Sequence, residues 1–279
     1  MTRLSLLIDV TKCSGCHNCF LACRDEYYDN AYSPYSAPQP LDGQFWMQIK
    51  EIERGSYPKP KLDYVPLPCL HCETAPCMDV AADEAVYRRP DGIVLIDPVK
   101  SKDQKAIVTA CPYRVIFWNK DLEIPQKCTL CAHRLDEGEK VPRCVESCPT
   151  GALVFGDLDD PTSDIAKLSA ALEVEIYHPE YDTAPLVKYV GLPKRFIAGE
   201  VVRRDEPGEC ADGVLVILEA GGAKWETRSD SYGDFEFEGL EHNKAYKVRV
   251  ELAGYAPREF DVLTQKDVDL GEIILDPVN

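Results

Sequence analysis

Cys13-Ser-Gly-Cys16-His-Asn-Cys19-Phe-Leu-Ala-Cys23, near the start of the chain, separates four cysteines by two, two and three residues. Three thiolates on such a tight loop can each reach one iron corner of a cube, while the fourth lies beyond the loop. This spacing is typical of a run that binds a 4Fe-4S cluster. In proteins with two such clusters, the fourth cysteine of one run ligates the cluster of the other run. The segment therefore predicts a partner run elsewhere in the chain.

The partner run consists of two cysteine pairs and ends in Cys-Pro. Cys128-Thr-Leu-Cys131 is followed, after twelve residues, by Cys144-Val-Glu-Ser-Cys148-Pro149, which repeats the pattern with its second gap lengthened. If the fourth ligands are exchanged between the runs, two complete sets result. The first set is Cys13, Cys16, Cys19 and Cys148, and the second is Cys128, Cys131, Cys144 and Cys23. Such an exchange would link the two ends of one domain.

Two incomplete runs lie between these. Cys69-Leu-His-Cys72-Glu-Thr-Ala-Pro-Cys77 has three ligands, and the position four residues after Cys77 is Ala81. Another run ends in Cys111-Pro112. Counting back from Cys111 at the same spacing reaches residues that are not cysteine, namely Ser101, Gln104 and Ile107.

This arrangement of runs resembles the iron-sulfur subunit of the dimethyl sulfoxide reductase family of molybdopterin oxidoreductases, which usually carries four runs and four clusters. The resemblance covers roughly residues 1–195. It includes Leu67-Pro-Cys-Leu-His-Cys72, Ala110-Cys-Pro-Tyr-Arg114, Cys128-Thr-Leu-Cys131 and Pro185-Leu-Val-Lys-Tyr189. It implies a ferredoxin-like fold that binds 4Fe-4S clusters, and a large catalytic partner that carries the molybdopterin.

The departure from four clusters is confined to one ligand set. Under exchanged ligation, the four substituted positions are all the ligands of a single cluster, so that cluster is lost as a whole. The remaining cysteines form a complete third set: Cys69, Cys72, Cys77 and Cys111. If each run bound its own cluster, the same changes would leave one site with three cysteines and one isolated cysteine. We therefore expect three 4Fe-4S clusters from twelve cysteines, with Cys210 left over.

Other uses of the thirteen cysteines fit the pattern less well. Disulfides are typical of short secreted scaffolds, and the count here is odd. Zinc ribbons also use Cys-x-x-Cys pairs, but three cysteines within seven residues suit a cube better. His17, His71 and His133 lie beside the cysteine pairs, yet each set already has four thiolates, so we expect them to form hydrogen bonds or face solvent. Because cluster assembly needs reduced thiols and no signal peptide is visible, we expect a cytoplasmic protein.

The net charge excludes some classes of partner. The chain has 48 acidic and 31 basic residues, which gives a net charge of −17. Such a surface repels nucleic-acid phosphates and anionic lipid. No segment approaches the ~20 uninterrupted apolar residues that a membrane span needs. We expect neither nucleic-acid binding nor direct membrane insertion.

Hydrophobic patterning predicts an α+β fold with two domains. Residues 1–195 are predicted to form tandem ferredoxin-like cluster units with an insertion at 24–66, in which Trp46 packs in the core. Leu4–Val10 is predicted as the first strand and 165–172 as a helix that Thr162, Ser163 or Asp164 can cap. In 196–279, apolar Tyr246, Val248, Val250 and Leu252 alternate with charged residues. This predicts a small antiparallel β sandwich or barrel, and the segment 229–240 resembles a transthyretin-like signature.

The predicted role is electron transfer in a non-catalytic subunit. The chain would position clusters and set their potentials, while the large partner performs the reaction. Three clusters and an added β domain are most similar to the transhydroxylases of this family, which move a hydroxyl group between pyrogallol and phloroglucinol. Two alternatives remain open. One is a free-standing polyferredoxin carrier, and the other is the electron-transfer subunit of a family reductase for dimethyl sulfoxide, polysulfide or tetrathionate.

Overall fold

The computed structural model describes residues 2–278. The first and last residues, at which the predicted domains begin and end, lie outside the described residues. Contacts divide the chain into two units. One takes the chain up to Glu51 and Tyr64–Leu192, and the other takes Ile52–Asp63 and the chain from Pro193 onward. Short helices and strands alternate in the first and strands fill the second, which confirms the predicted α+β class.

The chain up to Leu192 contains nine strands and six α-helices among its described residues. The strands are β1 (Leu4–Asp9), β2 (Gln48–Arg54), β3 (Lys61–Leu67), β4 (Val86–Arg88), β5 (Val94–Ile96), β6 (Phe117–Asn119), β7 (Ile124–Gln126), β8 (Leu153–Asp157) and β9 (Lys188–Val190). The helices are α1 (Asn18–Tyr27), α2 (Pro76–Asp79), α3 (Ala106–Thr109), α4 (Ala132–Asp136), α5 (Arg143–Glu146) and α6 (Asp164–Ala171). Strands β2 and β3 pair with each other, as do β4 with β5 and β6 with β7.

A three-stranded sheet holds distant parts of the first unit together. Its central strand β1 pairs antiparallel with β8, where Ile8 lies opposite Leu153, and parallel with β9, where Ile8 lies opposite Tyr189. The predicted first strand is therefore confirmed. Because β1 and β8 run in opposite directions, the end of β1 lies beside the start of β8. The loop that begins at Cys13 is thus placed next to the turn that follows Cys148.

Two further local predictions are confirmed in the first unit. Trp46 is 1% exposed, and its ring centroid lies 4.5 Å from that of Tyr27. Its indole N–H donates to Gln44 Oε1 at 2.9 Å, so a large apolar group is buried with its polar atom satisfied. The hydroxyl of Ser163 accepts a hydrogen bond from the Ala166 N–H at 3.2 Å and caps α6, within one residue of the predicted start.

The second unit consists of two sheets around a shared apolar core. Its strands after Pro193 are β10 (Arg195–Arg203), β11 (Leu215–Ala220), β12 (Ala223–Arg228), β13 (Asp234–Leu240), β14 (Ala245–Glu251), β15 (Arg258–Leu263) and β16 (Val268–Leu275). The sheets have the orders β13-β10-β16 and β12-β11-β14-β15. The prediction of a wholly antiparallel domain is wrong at one pair, because the chain passes through the other sheet before it returns as β16, which lies parallel to β10. In β14, Tyr246, Val248 and Val250 are buried and the residues between them are exposed, as the alternation predicted. Within residues 2–278, no helix has the length and apolar character needed to cross a membrane.

Candidate metal centres

The twelve predicted ligands all lie in the first unit, and all thirteen cysteines of the chain are free thiols. Their mutual electrostatic effects show which of them are neighbours, because a nearby thiolate raises the pKa of a thiol. Three groups result, and the second and third adjoin each other, since Cys69 of the third group is the largest thiolate neighbour of Cys128 in the second.

The first group gathers around the loop after β1. The Asp9 N–H donates to the Ala152 carbonyl at 2.8 Å, and a 3₁₀ turn, Val10–Lys12, leads directly to Cys13. Burial, followed by the charges of neighbouring thiolates, raises the pKa of Cys19 to about 12. Those neighbours are Cys13, Cys148 and Cys16. The structure therefore brings together all four residues of the first predicted set.

Gly15 allows the tight turn of this loop. Its φ of +66° is a conformation that residues with a Cβ rarely adopt. A Cβ at this position would also lie 2.5 Å from the ring of Tyr64. The glycine between Cys13 and Cys16 is thus required both by the turn and by the close contact.

Cys148 differs from the other cysteines of its set. Burial raises its pKa, but hydrogen bonds from the Thr150 hydroxyl and from backbone N–H groups that follow outweigh burial and lower the pKa of this thiol. Those N–H groups belong to Leu153, Thr150 and Ala152. The turn after Cys148 therefore points several donors at a sulfur that must be a thiolate to bind iron.

The second group lies between α1 and α5, which pack against each other. Burial raises the pKa of Cys144 well above its usual range, and the charges of nearby thiolates add to this effect. The largest of these contributions come from Cys131, Cys23 and Cys128. Cys23 lies in α1, in the first run, and yet its own largest thiolate neighbours are Cys128 and Cys131. This is the grouping that exchanged ligation predicts.

The third group lines a single cavity. Cys69, Cys72, Cys77 and Cys111 all contribute to its wall, together with apolar residues such as Val94 and Ile116. Burial and the charge of Cys69 raise the pKa of Cys72 to about 12. The residues of the third predicted set are therefore together as well.

The donor chemistry of each group fits a 4Fe-4S cube. Each group brings four cysteine sulfurs together, and most of these cysteines are buried or partly buried. A cube offers an iron at each of four corners and binds one thiolate at each. In the described part of the chain, no three His, Cys, Asp or Glu side chains surround a single ion-sized point. A cube does not need such a point, because its four ligands bind four different irons.

The four substituted positions also lie close together, but side chains fill the space between them. The side-chain amide of Gln104 forms two hydrogen bonds with the backbone of Ala82, beside Ala81. Ile107 is fully buried in an apolar cluster that also includes Cys77, with Ala81 packed against it. Ser101 is fully buried, and its carbonyl accepts the Gln104 N–H at 3.1 Å. The space of the missing fourth set is thus occupied by this chain's own side chains.

The three histidines form hydrogen bonds or face solvent, as expected. His71 is 1% exposed, and its Nδ1 accepts the Val94 N–H at 3.0 Å. His133 Nε2 lies 2.9 Å from Glu26 Oε1, and its ring stacks on Tyr32 with centroids 3.7 Å apart. His17 is partly exposed.

One charged residue near the sites was missed by sequence reasoning. Lys127, directly before Cys128, is only 2% exposed. Its position next to a ligand cysteine is visible in the sequence, but its burial depends on contacts with a distant strand. The ammonium of Lys127 donates to the carbonyl of Val94 in β5.

Comparisons with known proteins agree with this geometry. A profile of the 4Fe-4S dicluster domain matches residues 60–158. The pyrogallol hydroxytransferase small subunit of Pelobacter acidigallici is 38% identical over 99% of this chain and 100% of its own length. A subunit of the sulfite dehydrogenase of Allochromatium vinosum is 35% identical over 70% of this chain and 85% of its own. A subunit of the tetrathionate reductase of Salmonella typhimurium is also 35% identical, over 70% of this chain and 75% of its own.

Among solved structures, Klebsiella pneumoniae 5-hydroxyisourate hydrolase is similar to a smaller part of the chain. It covers 30% of this chain and 92% of its own at 15% identity, with a TM-score of 0.26.

Proposed function

Since this chain belongs to the iron-sulfur subunits of the dimethyl sulfoxide reductase family of molybdopterin oxidoreductases, we propose that it is the electron-transfer subunit of a pyrogallol–phloroglucinol transhydroxylase. Its relatives are 4Fe-4S electron-transfer subunits that work beside a large catalytic subunit. The choice of a transhydroxylase within the family rests on the share of this chain that each relative matches. The pyrogallol hydroxytransferase small subunit matches 99% of this chain, whereas the sulfite and tetrathionate enzymes match 70%.

We infer that the chain holds three clusters, one in each of the three cysteine groups. Two features support this number: the mutual effects of the thiols are consistent with three groups of four, and the fourth group of positions is filled with other side chains. When bound, 4Fe-4S clusters accept and release single electrons. The residues of the chain fix the thiolates in position, exclude water with apolar side chains and direct N–H groups at Cys148.

The proposed partner is a large subunit that carries the molybdopterin and the active site. This chain would then be the non-catalytic member of a heterodimer. We also assign it to the cytoplasm, because cluster assembly requires reduced thiols. Both assignments rest on the family and on the chemistry of the thiols.

We further propose that residues 1–195 are the iron-sulfur domain and 196–279 a transthyretin-like sandwich that docks to or stabilises the complex. The two sheets around one core support a sandwich, and the apolar character of that core explains how it is stable without a metal. The outer part of the β2–β3 hairpin, Ile52–Asp63, is an exception to these bounds, because its contacts assign it to the second unit.

Hydroxyl transfer between polyhydroxybenzenes causes no net oxidation or reduction. A subunit whose fourth cluster site is filled suits such a reaction, because no electrons need to leave the complex at each turnover. The test is to purify the complex without oxygen and to assay conversion of pyrogallol to phloroglucinol with no external electron acceptor. Repeated turnover with a stoichiometric large partner supports the proposal. A requirement for an external redox partner at every turnover would assign the chain to a reductase, and recovery as an isolated monomer would indicate a mobile carrier.

A further inference from the structure

Lys127 carries a buried positive charge with no carboxylate beside it. It is 2% exposed, and its ammonium donates to two backbone carbonyls, those of Val94 and of Cys128, the latter at 3.1 Å. Among residues 2–278, no Asp or Glu lies within ion-pair distance of its Nζ. A buried charge without a counter-ion is strongly unfavourable. The environment of Lys127 must therefore supply negative charge of another kind.

The two carbonyls place this ammonium between two of the cysteine groups. Cys128 belongs to the second group. Val94 lines the cavity of the third group and packs in the same apolar cluster as Cys77. Consistent with this position, burial raises the pKa of Cys77 to about 11 while the positive charge of Lys127 opposes that rise.

We propose that the ammonium of Lys127 is the shared counter-ion of the second and third 4Fe-4S clusters, and that it raises the reduction potential of both. This inference rests on the ligand groups of the proposed function. A cube held by four thiolates has a net negative charge, and each electron that enters adds another. A positive charge in surroundings of low dielectric constant stabilises the reduced form more than the oxidised form. Reduction of a cluster adds one electron to it. This step makes and breaks no bond.

Neighbouring groups do not replace Lys127 in this position. His71 is buried, and its Nδ1 accepts the Val94 N–H at 3.0 Å, which a protonated imidazolium could not do, so it adds no positive charge. Arg88 is only half-buried and donates to the carbonyl of Cys72 at 2.6 Å, on the third group alone. Lys12, beside Cys13 of the first group, is 49% exposed and paired with Asp9 at 3.0 Å, where water screens its charge.

The test is a redox titration of the complex followed by electron paramagnetic resonance. Lys127→Met keeps an unbranched apolar side chain, one heavy atom shorter than that of lysine, and removes the charge. At a fixed solution potential we expect the ratio of reduced to oxidised cluster to fall at least tenfold at both the second and the third group. For a one-electron centre this is a drop of about 59 mV. Signals would be assigned to the groups with Cys23→Ser and Cys111→Ser.

Three control variants separate charge from structure. Lys127→Arg should retain both potentials, Arg88→Gln should lower that of the third group only, and Lys12→Met should leave the first group unchanged. Unchanged potentials in a fully loaded Lys127→Met complex would overturn the proposal. If Lys127→Met loses the two clusters, retention of both by Lys127→Arg supports a counter-ion. Loss of both in Lys127→Arg as well would show that the residue acts through packing.

Discussion

The side-chain amide of Gln104 forms hydrogen bonds with both the backbone N–H and the backbone carbonyl of Ala82. Its Oε1 accepts the Ala82 N–H at 2.8 Å, and its Nε2 lies 3.3 Å from the Ala82 carbonyl. The same Nε2 donates to the carbonyl of Lys100 at 2.8 Å. By the spacing of the cysteine runs, Gln104 stands at a ligand position of the fourth set. Ala81, the residue before Ala82, stands at another. Amide hydrogen bonds thus join two segments at the position where a cluster would otherwise join them.

Replacing Gln104 by Ala should therefore loosen this part of the first unit. Three solvent-exposed hydrogen bonds are lost and water takes the place of the acceptor, so we expect a cost of only about 0.5–1.5 kcal/mol. Hydrogen exchange at the Ala82 amide should become faster in the loaded complex. The matched control is Gln265→Ala at an exposed position of the second unit, which should leave exchange at Ala82 unchanged. Normal protection of Ala82 in Gln104→Ala would show that the amide bonds do not hold this site.

Cys23→Ser tests the exchanged ligation. Cys23 follows three cysteines of the first run, but its strongest thiolate neighbours are Cys128 and Cys131. We expect the variant to lose or convert the cluster of the second group, seen by electron paramagnetic resonance and iron content, with the first group unaffected. Cys210→Ser, at the cysteine outside all three groups, should change neither. Loss of the signal of the first group instead would refute the exchange.

Asp136 should stabilise the fold without pH dependence in the neutral range. Hydrogen bonds from Arg89 and then from the Tyr35 hydroxyl lower the pKa of this carboxyl to about 2. A carboxyl with a lowered pKa contributes stability above its unfolded pKa, about 3.9, and loses it as the pH falls through about 2. Because the side chain is 41% exposed, we expect Asp136→Asn to cost only about 0.5–1 kcal/mol.

The measurement is the thermal midpoint of the loaded protein and of Asp136→Asn between pH 5 and 9. The difference between the two should be constant over that range. Asp42→Asn, at an exposed site, is the control and should shift the midpoint by less. A difference that shrinks as the pH falls from 7 to 5 would contradict the lowered pKa.

Removal of iron should affect the two units differently. In the first unit, the groups of buried thiols lose the metal that links distant segments, so we expect rapid hydrogen exchange in β1 and β8. The core of the second unit contains buried apolar residues such as Val216, Val248 and Phe235 and no predicted ligand. Its strands should stay protected after treatment with a chelator and an oxidant. Equal loss of protection in both units would show that the β unit depends on the clusters.

The sequence predicted the features that depend on spacing and periodicity. Cysteine spacing predicted the ligand sets, and alternation identified the buried face of β14, because spacing and alternation can be read from residues that are close in the chain. The burial of Lys127 and the bond between Gln104 and Ala82 could not be predicted in this way. Each depends on a contact between segments that are distant in the chain, and a lysine or a glutamine is usually exposed.

The most direct test of the central claim is a native mass spectrum of the complex, purified without oxygen from its own source. We predict a large partner and three cube-sized mass increments on this chain. A fourth increment would contradict the filled fourth site. Zinc, or a chain without metal, would contradict the iron-sulfur assignment itself.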